Sequence, residues 1–553
     1  MSKKQKIIFT LTFLFCFFIQ IIPVIRSGIQ YDSGIRFWGS NGHDAIWHLS
    51  LINHIKNPLK IELPIYAGSF LKNYHPFYDI LVAFFHNISH LPSTVWYFQI
   101  FPIISTFLYL TTSYILGKRL TQKFSGGILL MFFNSFANSF GWVVSLIKSG
   151  KIGGESLFWA MQSVSNQLNP PFLLSLIFIN ILLIYITSDN KNKHKFIKAI
   201  GIILILAITP ITKAYGGVAI YLIFGLYSLF VFKKDKKPLY LLLISLPISY
   251  LFFSIYNSTS TSLFVYKPFW FTNALIEAPD RFYIPKIVNM RYTLESSGLI
   301  GPRLILIYCF SISAFYLGNF SWRLLGIFSL KRFNNSIKLP LFLTVIITAI
   351  IPMIFIQKGT SWNTIQFLYY SLFISNIFLT IFLIQKSSRI ISSIVILLTL
   401  IPCFENLNTY LSNPSPTVLP TNEIIALNKL KELPSGVVLT YPYDQYKKKN
   451  MSTPLPLYAY ETTAYVSAFS EKIVFLEDEM NLDITGFDWK NRRLESEKFF
   501  NTNDEFFARG FLVNNQIDYI YLVDDQKLPL NENQLQIKLT INNGQVRIYQ
   551  VQR

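Results

Sequence analysis

The apolar residues of this chain come in long, nearly uninterrupted blocks separated by short polar connectors. Such blocks read as helices that are apolar all round rather than amphipathic, the form a lipid environment imposes. About eleven of them are long enough to cross a ~30 Å hydrocarbon layer, allowing for tilt and slightly short helices. They cover residues 7–25, 97–117, 126–147, 172–187, 199–212, 216–232, 239–256, 304–320, 339–357, 366–385 and 390–404. The first block has no small-x-small cleavage site after it, so it reads as a retained helix and not as a signal peptide.

Beyond residue 404 the pattern changes. A Pro/Ser/Asn linker, Ser412-Asn-Pro-Ser-Pro-Thr417, gives way to alternating polar and apolar sequence. Residues 437–441, 473–476 and 519–523 read as buried strands, and 504–514 as an amphipathic helix. Residues 535–540 and 546–551 read as a hairpin across Asn542-Asn-Gly544. The predicted fold is a polytopic α-helical membrane protein with a C-terminal extracytoplasmic α/β or α+β domain. Its expected domains are 1–404, a transmembrane domain that includes a first outer loop at 26–97, then a linker at 405–420 and a soluble domain at 421–553. This last segment shows no nucleotide loop, nucleophile elbow or metal-ligand spacing.

Composition agrees with the pattern: 52% of the 553 residues are hydrophobic and 14% are charged, with a mean hydropathy of +0.39. Cys16, Cys309 and Cys403 all lie inside apolar runs, where a thiol behaves as a small hydrophobe.

The net charge of +20 adds an orientation. Alternate connectors hold nearly all of it: Lys3, Lys4 and Lys6; Lys118, Arg119 and Lys123; Lys191, Lys193, Lys195 and Lys198; Lys233, Lys234, Lys236 and Lys237; Arg323, Lys331, Arg332 and Lys338; Lys386 and Arg389. Only Asp189 and Asp235 oppose them. This is the positive-inside signature, so the basicity carries no argument for nucleic acid. It puts the amino terminus in the cytoplasm of a multi-pass cell-membrane protein. The loop 26–97, the loops 148–171, 257–303 and 358–365, and the C-terminal domain fall outside.

The loop 26–97 holds the candidate chemistry. It gathers Asp32, Asp44, Asp79, His43, His48, His54 and His75. A helix beginning near Asn41, with Asn41 or Gly42 as its cap, places Asp44 in the first turn, where the positive helix end favours an ionised carboxylate. That carboxylate either caps the helix, takes a proton from a hydroxyl, or holds a divalent cation. The histidines read either as metal ligands or as interfacial side chains satisfied by water and backbone. No cofactor is required by the sequence, and the use of a metal is left open.

Gly42-His-Asp-Ala-Ile-Trp-His48 in a long outer loop after the first helix, followed by His75-Pro-Phe-Tyr78 entering the next apolar stretch, resembles the GT-C superfamily of polytopic glycosyltransferases. The similarity is greatest to the bacterial members related to protein O-mannosyltransferases. Asp44 stands alone where many relatives carry paired acids. The resemblance implies that Asp44 is catalytic, that the donor is a sugar on a polyprenyl phosphate, and that a soluble domain follows the last helix on the outer side. Partners are then the lipid-linked sugar, the bilayer and an unassigned acceptor in the cell envelope.

A departing phosphate needs cations at the outer leaflet. Arg303, at the entry to a helix, and Lys358 are the leading candidates, with Arg291 beside them. His48, His75, Asn363 and Gln366 are expected to line the cavity, near Trp362. The interruptions at 166–171 and 209–217 read as helix breaks at a binding site or as ordinary turns. The competing classes are a transporter or lipid flippase, and a non-catalytic envelope scaffold. Against transport stand the lack of a repeated half and the scarcity of charges inside the apolar blocks.

Overall fold

The computed structural model describes residues 1–552 except 189–194, 258–262, 299–300, 332–334 and 386. Lys191, Lys193, Arg332, Lys386 and Asp189 therefore lie outside the described residues. The chain divides into two compact units, one helical (Met1–Pro23, Ile103–Ser254, Ser260–Leu411) and one mixed (Val24–Pro102, Ile255–Thr259, Ser412–Arg553).

Each apolar block of the sequence is mainly helical, with a break at 137–140 and a short strand at Phe355–Gln357 ending the block 339–357. Among the described residues eight helices are long and apolar enough to cross a membrane, or nine when the bent pair Phe124–Phe136 and Gly141–Ser149 counts as one span. Pro170–Ile186 and Lys338–Ile354 are apolar but shorter. This is a multi-pass membrane protein.

The helical unit is organised around Gln366–Gln385, whose apolar stretch is 83% buried against 17% for Lys237–Tyr256. The reason lies in its small polar residues. Lipid offers no hydrogen bonds, so a helix carrying them is placed where neighbours supply partners. Ser371 Oγ lies 2.6 Å from Thr348 Oγ1, and Asn376 donates to Phe133 O at 3.2 Å and to Asn134 Oδ1 at 3.1 Å.

Arg323 corrects an expectation. Grouped by sequence with the basic connectors, it is instead 2% exposed inside this unit. Its cause is the break in the bent pair, 47° between Phe124–Phe136 and Gly141–Ser149, which frees backbone carbonyls. Arg323 donates to Ala137 O at 2.9 Å and Asn138 O at 3.3 Å, and also to Gln162 Oε1 at 3.1 Å and Asn376 Oδ1 at 2.9 Å.

In the mixed unit a five-stranded sheet has the order Ile537–Asn542, Val546–Val551, Ile517–Val523, Val437–Thr440, Ile473–Val474. The first two form the antiparallel hairpin expected across Asn542-Asn-Gly544. Val437–Thr440 pairs in parallel with Ile473–Val474 on one side and Ile517–Val523 on the other. Tyr519 to Val523 are buried throughout, as an apolar central strand requires.

A second sheet joins sequence-distant segments: Gly34–Phe37 pairs antiparallel with Thr417–Pro420, which runs parallel to Leu455–Pro456. Gly34, at φ +124°, is required there, because a Cβ would meet Leu419 O at 2.0 Å. The sequence pattern grouped 26–97 with the membrane helices, whereas the compact unit joins 24–102 to 412–553.

Candidate active site

Asp44 opens the helix Asp44–His54. The residue before it is His43, not Asn41 or Gly42, because Gly39–Gly42 forms its own short 3-10 turn. The helix is held within the mixed unit by the C-terminal segment: Ser50 Oγ is 2.8 Å from Ser467 Oγ, and Asn53 Nδ2 donates to Ala468 O at 2.7 Å.

This docking brings two acids, far apart in sequence, to one imidazole. His43 Nδ1 is 3.0 Å from Asp44 Oδ1, and its Nε2 is 3.4 Å from Asp478 Oδ1. The Asp478 side chain is fully buried, while that of Asp44 is 59% exposed. Burial opposes a charge on His43, but the carboxylates of Asp478 and Asp44 outweigh it and hold the imidazole well above its ordinary value. The bridge is therefore an imidazolium between two carboxylates, with the Asp44 carboxylate reaching solvent.

Asp478 was missed at the sequence level. The available signal was its position in Glu477-Asp-Glu479, directly after a segment read as a buried strand, since strand ends in α/β sheets commonly present functional side chains. Locally its carboxylate caps the helix Glu479–Thr485, accepting from Asn481 N at 3.1 Å.

His48, four residues after Asp44, turns elsewhere. Its Nδ1 lies 2.6 Å from Asp79 Oδ1, and Asp79 is fully buried. Its ring stacks on Tyr97 at 5.6 Å. This pair ties the helix Asp44–His54 to Phe77–Ser89. His75 stacks on Tyr74 at 4.8 Å.

The remaining candidates belong to the helical unit. Arg303 is the second residue of Pro302–Phe320 and is exposed, as is Lys358. Arg291 is 3% exposed, with its guanidinium on the carboxylates of Glu277 and Glu295. Next to Lys358 in sequence, Gln357 Oε1 accepts from Tyr215 Oη at 2.7 Å and Asn363 Nδ2 at 3.1 Å, and Gln366 donates to Asn363. The sequence pair Asn363 and Gln366 is thus one polar chain.

Among the described residues no group of three or more His, Cys, Asp or Glu side chains is arranged to hold a metal ion. Asp44 and Asp478 have the His43 imidazole between them, where a cation shared by the two acids would have to sit.

Within the mixed unit, a cavity of about 720 Å³ opens outside the carboxyl ends of the three parallel strands. Its walls begin at Thr440 and Tyr441, at Leu476 to Glu479, and at Asp524 to Gln526, where those strands end. The chain passes from Val437–Thr440 to one neighbour and then across to the other, so the connections diverge and leave a crevice. Asp478 lines it.

Together these features define a polytopic helical membrane protein with an α/β unit. Among solved structures, the chain is similar to the oligosaccharyltransferase of Archaeoglobus fulgidus. The apo form matches at 12% identity over 93% of this chain and 69% of that one, with a TM-score of 0.52. A form tethered to an acceptor peptide containing the NVT sequon matches at 11% identity over 94% and 69%, with a TM-score of 0.51. The archaeal oligosaccharyltransferase AglB from the same organism, in complex with an inhibitory peptide and a dolichol-phosphate, matches at 10% identity over 94% and 69%, also at 0.51. The likeness at this identity is one of fold. No family model matches the sequence, and no curated protein matches it.

Proposed function

We propose that the chain is a membrane glycosyltransferase that moves a sugar from a polyprenyl-phosphate donor to an acceptor at the outer face of the cytoplasmic membrane. The observation that carries this reading is the exposed Asp44 carboxylate, fixed through His43 to the buried Asp478 beside an open cavity. The shared fold supports it, since the oligosaccharyltransferase with that fold binds a dolichol-phosphate and an acceptor peptide.

Asp44 takes the proton of the acceptor hydroxyl as the oxygen forms its bond to the anomeric carbon. The bond from that carbon to the phosphate oxygen breaks, and its electron pair leaves with the lipid phosphate. His43 is a positioning residue: its two contacts hold Asp44 at one orientation. Arg303 and Lys358, exposed and cationic, neutralise the departing phosphate. His48 holds the Asp44 helix through Asp79, and Asn363 and Gln366 offer polar groups to the donor. The amino terminus is cytoplasmic and the mixed unit extracytoplasmic, as the positive-inside pattern directs.

The test is the full chain reconstituted in liposomes with polyprenyl-phosphate sugars and an envelope extract as acceptor source. Transfer of label from lipid to acceptor is expected. Label that stays on the lipid, or crosses the bilayer unchanged, favours the flippase class instead.

A further inference from the structure

The cavity at the strand ends is built for more than closing the site. Six tyrosines line it, Tyr441, Tyr443, Tyr446, Tyr458, Tyr465 and Tyr521, and the Tyr446 ring is 62% exposed. Aromatic faces of this kind cover the apolar C–H faces of ring-shaped polar ligands.

The charged groups around it are largely matched to one another. Lys447 pairs with Asp525, Arg493 with Glu479 at 2.7 Å, and His43 with Asp478, while Tyr458 donates to Asp524. The other polar lining groups are acidic or neutral: Asp444 and Glu461, with Asn450, Thr440, Thr462 and Gln526, several of them already in local hydrogen bonds such as Tyr446 N to Asp444 Oδ1 at 2.8 Å. Such carboxylates repel phosphates and uronic acids. Thr463 and Ser496 also line the cavity, both at least nine-tenths buried, and their hydroxyls have no hydrogen-bond partner among the described residues. A buried hydroxyl without a partner is costly unless a ligand or water completes it.

The shape extends the same way. A second cavity of about 650 Å³ shares the wall Tyr441 to Asp444 and Tyr446, so one segment borders two adjoining chambers. Each chamber has the volume of a ligand of a few rings.

We infer that these chambers hold the acceptor, and that it is a glycan chain of uncharged sugar units, seated on the tyrosines with its hydroxyl end directed past Asp478 toward Asp44. This identification of the acceptor rests on the transferase reading above, whereas the binding of a glycan does not. A polyhydroxyl ligand suits walls that offer donors and acceptors in mixture, and a chain of rings suits two adjoining chambers.

The test is ligand-observed NMR on the full chain in lipid nanodiscs with mannotriose, maltotriose and triacetylchitotriose, using sialyllactose and trilysine as charged counterparts. At least one neutral trisaccharide is expected to bind saturably below about 10 mM, ahead of both charged probes. Tyr446→Ala removes an exposed ring with little effect on folding and is expected to weaken binding about tenfold. D44N is expected to retain binding. If no neutral trisaccharide saturates, if trilysine binds in preference, or if Tyr446→Ala leaves the affinity unchanged, the inference is overturned. Trisaccharide binding without any lipid-to-acceptor transfer keeps the glycan site and removes the acceptor role. Transfer without trisaccharide binding removes the glycan inference alone.

Discussion

Two nearly buried cationic side chains, one in each unit, are partnered in opposite ways. Arg323, in the helical unit, donates only to carbonyls, amides and a serine hydroxyl, all neutral and fixed. His43, in the mixed unit, lies between two carboxylates, one fully buried and one mostly exposed. The first arrangement uses its donors to close a helix break and to tie neighbouring segments together, which makes it structural. The second ends on a carboxylate that reaches solvent, which leaves a group free to act on a substrate. A buried charge therefore indicates function here through where its partners lead, not through its burial alone.

Substitutions should separate the two. The largest effect is expected for Asp44→Asn, which should lower the rate of sugar transfer by about 10²–10⁴-fold with the melting temperature unchanged. Arg323→Met should act in the other sense. It orphans several buried acceptors and should destabilise the helical unit by about 2–4 kcal/mol, seen as a lower melting temperature in detergent, while the activity of the folded fraction is kept.

A smaller effect is expected for His43→Gln, which keeps a donor toward Asp44 but cannot titrate. The folded-state value of His43 is raised, so its bridge is fully present below pH 6.5 and is lost as pH rises through that raised value. The wild-type rate should accordingly fall on the alkaline side. The variant should run about tenfold slower at neutral pH and lose that alkaline limb.

The smallest effect concerns Glu423, fully buried and accepting from Tyr521 Oη at 2.9 Å. Burial raises its carboxyl from 4.5 to about 8, so its contribution is present below pH 4.5 and is lost as pH rises to about 8. Glu423→Gln should flatten the fall in melting temperature over that window without changing transfer at neutral pH.

The parts of this molecule legible in the sequence are those dictated by local pattern. Unbroken apolar runs became helices, and Ile517–Val523 with the hairpin after it became strands, because burial on both faces or alternation leaves little choice. Asp44 was legible as a first-turn acid. Asp478 was not, because its approach to His43 comes with the docking of the Asp44–His54 helix on Ser467 and Ala468, and no local period encodes a contact so distant in sequence. Arg323 read as a connector because its charge was counted without the helix break that receives it. His48 shares a helical face with Asp44 by spacing, yet Asp79 captures it, a choice made by packing and not by periodicity.

The most direct test is single-turnover transfer by D44N in proteoliposomes preloaded with labelled polyprenyl-phosphate sugar. The account predicts donor binding equal to wild type and transfer lower by at least about 10²-fold. Transfer within about twofold of wild type would contradict it, since a carboxylate that serves as the base cannot be replaced by an amide at so little cost.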